Sequence, residues 1–132
     1  MELVLVLHQG LSNMSWMFFL ALGLWGGYRA IRGQGVDGNY LGASAVGQIV
    51  FWAQGVVGVI LWANGHTANL LRPEVHILYG AFVIVFLPFV YLAVLRGDDS
   101  NRGMWVMTFA TLFLFGTALK LIDLGVETVL PY

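Results

Sequence analysis

The sequence predicts an all-α fold: a four-transmembrane-helix antiparallel bundle forming one integral membrane domain over residues 1–132. Three observations predict it. The chain is 59% hydrophobic, with a mean hydropathy of +0.81. Only 10% of its residues are charged, against about 25% in soluble domains. Four apolar stretches approach the roughly 20 residues that a helix needs to cross hydrocarbon. The breaks between them are short, polar and glycine-rich, and such connections set neighbouring helices antiparallel.

The first helix is expected over about 3–28. No basic segment precedes "LVLVLHQG", and the apolar run is too long for the core of a cleaved signal, so it is read as a helix that stays in the membrane. Gly23 and Gly27 form a small-xxx-small pair on it, the pattern that lets membrane helices approach closely. After "RAIRGQGVDGN" a second helix is expected over 41–63, with Gly55 and Gly58 as its small surface. After "NGHTANLLRP" a third is expected over 74–95, kinked at Pro88. After "RGDDSNRG" a fourth is expected over 103–124.

Arginine counts predict the orientation. Arg29 and Arg32 lie in loop one, Arg96 and Arg102 in loop three, and loop two holds Arg72 alone. The positive-inside rule puts loops one and three in the cytoplasm and both termini outside, in a prokaryotic cytoplasmic membrane. Trp25, Tyr28, Tyr40, Tyr91 and Trp105 then fall near the inner boundary, and Trp62 and Tyr132 near the outer, as aromatic belts do.

The halves resemble one another. "HQGLSNMSWMFFLALGLWGGYRAIRG" and "HILYGAFVIVFLPFVYLAVLRG" each open on a histidine and close on Arg-Gly, and each is followed by a helix with a mid-helix glycine, Gly55 or Gly116. This suggests a tandem-duplicated helical hairpin. An axis along the membrane normal would then set the leading histidines on opposite sides of the bundle.

Composition excludes several functions. The net charge of −1 leaves no footprint for nucleic acid. The absence of cysteine excludes iron–sulfur clusters, thiolate zinc and covalently attached haem. No serine, histidine and acid fall into a hydrolase arrangement, so the chain reads as an electron-transfer or accessory protein rather than a stand-alone enzyme.

The three histidines carry what chemistry remains. His8, His66 and His76 all fall at the outer membrane level. His66 lies in the turn beside Gly65 and is read as solvated, with the alternative that it serves as a ligand. Ionisable groups inside a membrane are expensive and point to function. His8 and His76 sit on helices at matched depth. Two imidazoles from two helices hold b-type haem in a bundle, whereas zinc wants four ligands. Ser12 and Ser15 share the His8 face and are candidates to bond a free imidazole nitrogen. Gly80, one turn after His76, leaves room for a flat ring. Lys120 and Arg72 are placed to neutralise haem propionates, unless Lys120 pairs with Asp123. Trp16 and Trp52 are read as packing, with flanking of a macrocycle as the alternative.

The segment "FWAQGVVGVILWANG…EVHILYG" resembles one half of haem A synthase: Gln54, Gly55 and Gly58 precede an apolar run, a loop, and a ligand-type histidine, His76, opening the next helix. The topology is similar to that of four-helix membrane b-type cytochromes. The resemblance implies haem b held by His8 and His76 at the outer ends of alternate helices. That family has two such halves, and a glutamate one turn before its first ligand. Here there is one half, with Val4 before His8 and Arg72 before His76, so the family's oxygenase chemistry is not carried over.

The expected partners are the lipid bilayer, a quinone, and either further copies of the chain or the other subunits of a membrane complex. Two further readings stand beside haem-based electron transfer. One is an accessory subunit of a respiratory or photosynthetic complex, with no cofactor or with one histidine on bacteriochlorophyll. The other is a small multidrug-type transporter, disfavoured because helix one has no mid-membrane carboxylate.

Overall fold

The computed structural model describes residues 2–65 and 73–124. It contains α1 (Glu2–Ile31), α2 (Gly38–Ala63), α3 (Pro73–Phe89, continued by a π-helical turn over Val90–Val94) and α4 (Asn101–Leu124). All four are long and apolar enough to cross a membrane. Each helix packs on two neighbours: α1 lies against α2 and α4, and α3 against the same two. Helices α1 and α3 are therefore diagonal, as are α2 and α4.

The tightest seam joins α1 to α4, and small residues make it. A Cβ built on Gly23 would fall inside the Leu112 side chain, and one on Gly26 would lie 2.8 Å from both Thr108 Oγ1 and the Tyr40 hydroxyl. Gly27 is looser, with Thr108 at 3.7 Å, so the close-approach register is Gly23 and Gly26 rather than Gly23 and Gly27. Tyr40 is fully buried, and its hydroxyl lies within hydrogen-bond distance of the Leu22 carbonyl (3.2 Å) and Thr111 Oγ1 (3.3 Å). It pins α2 to α1 and α4 and does not join the interfacial belt, where Trp25, Tyr28 and Trp105 remain exposed.

Loops one and three interlock at one end of the bundle. The Val36 amide donates to the Asp99 carbonyl (2.9 Å), and Asn101 Nδ2 donates to the carbonyls of Ala30 (3.0 Å) and Gln34 (2.9 Å). Helix α2 begins three residues earlier than hydropathy alone suggests. Its cap is polar: Asp37 accepts from the Tyr40 amide (2.8 Å) and pairs with Arg29 (3.2 Å). An Asp37→Ala change is expected to lower stability by about 1 kcal/mol, the usual value of an N-cap. Asp37→Asn, which keeps the cap and loses only the ion pair, should cost less. Unfolding midpoints in detergent check the order.

Pro88 breaks α3 in a specific way. It has no N–H to give the Ile84 carbonyl four residues back. That carbonyl instead accepts from Gln48 Nε2 (2.8 Å) and Trp52 Nε1 (3.0 Å) on α2, and Gln48 also donates to the Val83 carbonyl (3.2 Å). In lipid a freed carbonyl needs such a donor from a neighbouring helix. The π turn follows directly, with the Leu95 amide reaching back five residues to Val90 (2.9 Å). Helix α1 has no such break, so the two hairpins differ in detail.

Candidate functional site

Diagonal helices normally keep their side chains apart, but His8 and His76 meet. Each sits near the N-terminal end of its helix, and their ring centres are 6.3 Å apart with the planes inclined by 66°. Both side chains are half-buried. The Nδ1 atoms of both rings are buried, and neither has a hydrogen-bond partner among the described residues.

Neighbouring helices frame the pair. On α2, the Gln54 amide nitrogen donates to the His8 carbonyl (2.8 Å) and to Ser12 Oγ (2.6 Å), while Gln54 Oε1 is buried and unpartnered among the described residues. Gly58 brings α2 close: a Cβ there would lie 3.5 Å from His8 Cε1. On the far side the His76 ring lies against the backbone of Leu121 on α4. A Cβ at Gly80, one turn beyond His76, would meet nothing within 4 Å, so that face of α3 is open.

Ser12 and Ser15 do not bond the imidazoles. Their hydroxyls return to the carbonyls four residues back, Ser12 to His8 (2.9 Å) and Ser15 to Leu11 (2.7 Å). A serine inside a helix in lipid has that acceptor always at hand. Trp16 packs on Phe115 at 6.3 Å, and Trp52 belongs to the Pro88 clamp, so both have structural roles. Lys120 is exposed near the C-terminal end of α4. His66 and Arg72 lie outside the described residues, as does the side chain of Asp123.

The donor set decides which metal chemistry fits. Among the described residues no three His, Cys, Asp or Glu side chains gather to hold a metal ion. Two imidazoles alone are short of a tetrahedral zinc site and match the axial pair of a haem. An imidazole nitrogen lies about 2.0–2.1 Å from a metal it binds, so two such rings facing across one metal hold their centres roughly 6 Å apart. The 6.3 Å edge-to-face separation is compatible with that spacing and also lies within the roughly 4.5–7 Å of ordinary ring contacts. Two grooves between α2 and α3 are lined by no histidine. No family model, curated protein or solved structure matches the chain.

Proposed function

We propose that this chain is a membrane b-type haem protein that transfers electrons, with one haem near the outer face and His8 and His76 as its axial ligands. One observation carries the reading. Two imidazoles from diagonal helices meet with their ring centres 6.3 Å apart, and each keeps a buried Nδ1 without a partner among the described residues. Burying an unpaired polar group in an apolar medium costs several kcal/mol, so an imidazole pair held this way wants a third party. A haem iron would engage one nitrogen of each ring and supply a one-electron couple. Gln54 holds the backbone of α1 at His8 and so sets where that ligand stands. In this reading Lys120 and Arg72 are the candidate partners of the propionates.

The arginine-rich end, where loops one and three interlock, is the cytoplasmic end in this reading, and both termini face outward. A quinone is the lipid-borne redox partner, and the chain works as a homo-oligomer or as a subunit of a larger membrane complex.

The second reading is a cofactor-free accessory subunit. The Gln54 bonds to His8 and Ser12 favour it, because they already tie α1 to α2 as inter-helix glue. An optical spectrum of the detergent-purified protein, expressed with ample haem, separates the two. Haem binding gives a sharp reduced α-band after dithionite. A colourless protein leaves the accessory reading.

A further inference from the structure

In a bundle that crosses a membrane, polar side chains belong on inward faces, where neighbouring helices satisfy them. Apart from Gln9, every serine, threonine and glutamine inside the four spans is buried or half-buried. Gln9 and Asn13, one turn apart on α1, are both exposed. Asn13 lies deep. It is one turn from Met17, the midpoint of the Leu3–Ile31 span, and so about 6 Å from the middle of a hydrocarbon layer roughly 30 Å thick. Among the described residues its amide nitrogen donates to nothing, and its oxygen meets only Trp16 Nε1, at a long 3.4 Å. An amide there costs free energy that acyl chains cannot return, since they carry neither donor nor acceptor.

The residues around Asn13 form a seam. Val6, Gly10, Asn13, Met17 and Leu24 recur at the alternating three- and four-residue spacing of a helix that packs along its length on another helix. All five are exposed, Met17 at 50% and Leu24 at 64%. A Cβ on Gly10 would meet nothing within 4 Å, so the backbone there is open to close approach. An apolar seam alone would suit lipid. The amide at its centre does not.

We propose that α1 pairs with α1 of a second copy of this chain, face to face around Asn13. The occupant follows from the amide. Copies inserted the same way round are related by a twofold axis along the membrane normal, so α1 meets α1 in parallel and each residue meets its own kind at its own depth. A carboxamide is both donor and acceptor, so two Asn13 side chains satisfy one another through two reciprocal N–H···O bonds. The two Gln9 side chains stand one turn away, at the rim of the same contact. A lipid, or a partner helix with no polar group at this depth, would leave the amides unpaired. The pairing uses neither His8 nor His76 and stands whether or not the chain binds haem.

The test uses the full chain in reconstituted membranes. The chain has no cysteine, so each introduced thiol is the sole one. Met17→Cys should give a disulfide-linked dimer on mild oxidation with copper phenanthroline. Val85→Cys, near the midpoint of the Glu74–Val94 span and 59% exposed, should not. Asn13→Leu in the Met17→Cys background, followed by thiol–disulfide equilibrium across protein-to-lipid ratios, should raise the dissociation constant of the dimer about tenfold. That is about 1.4 kcal/mol, the order expected when two inter-helix hydrogen bonds are lost. Asn13→Gln keeps the amide and should keep the dimer. Absence of the Met17→Cys dimer, equal cross-linking of Val85→Cys, or an Asn13→Leu chain that pairs as tightly as the wild type each overturns the proposal.

Discussion

Replacing His76 by alanine is expected to remove bound haem, and replacing His8 is expected to do the same. The effect should be large because, in the proposed reading, each ring would supply one of only two protein ligands. Even the outer partners of metal ligands carry roughly 10–100-fold in affinity, so losing a ligand should lower the haem content per polypeptide by at least that much. Ser12→Ala is the informative companion. Its hydroxyl bonds the His8 carbonyl and accepts from Gln54, and touches neither imidazole nitrogen, so haem content should hold. Added imidazole should restore a low-spin spectrum to His76→Gly, because the neighbouring Gly80 face is open. Haem retained at wild-type level in both alanine variants would show that these residues are not its ligands.

A large loss of stability is expected from Gly26→Leu. Even the first carbon of the new side chain meets Thr108 Oγ1 and the Tyr40 hydroxyl at 2.8 Å, and Met104 Cε at 3.2 Å. Tyr40 must then withdraw from Leu22 and Thr111, its two contacts inside the apolar core. Overpacking of a tight interior costs about 1–3 kcal/mol, and inter-helix hydrogen bonds in membranes add about 0.6 kcal/mol each on average. A loss of about 3 kcal/mol should appear as a lower midpoint in detergent unfolding. Gly116→Leu is the control, since nothing lies within 4 Å of a Cβ there, and its midpoint should barely move.

The four spans are legible in the sequence because crossing hydrocarbon imposes a length and a composition that hydropathy reads directly. Their ends are less so. Helix α2 starts at a polar cap, Asp37, that an apolar count passes over. The convergence of His8 and His76 is legible from matched depth on alternate helices. The partners of their neighbours are not, because the i−4 carbonyl competes for every serine hydroxyl and wins at Ser12 and Ser15. Belt logic assigns Tyr40 to the interface by depth alone, whereas its rotation about α2 turns it inward between Gly26 and Thr111. Gln48 is the residue whose role was hardest to read. Its signal is one of two glutamines in an apolar run, together with a proline elsewhere that frees a carbonyl. Only the packing of α2 on α3 joins the two.

That clamp also orders the birth of the protein. Ile84 enters the bilayer with its carbonyl stripped of a donor by Pro88, and an exposed carbonyl in hydrocarbon costs several kcal/mol. The ribosome makes Gln48 and Trp52 first, so their side chains are already in the membrane when the third segment arrives. Helix α3 is therefore a poor solitary guest of the bilayer and a good second member of a hairpin, and its insertion should lean on the helix synthesised just before it.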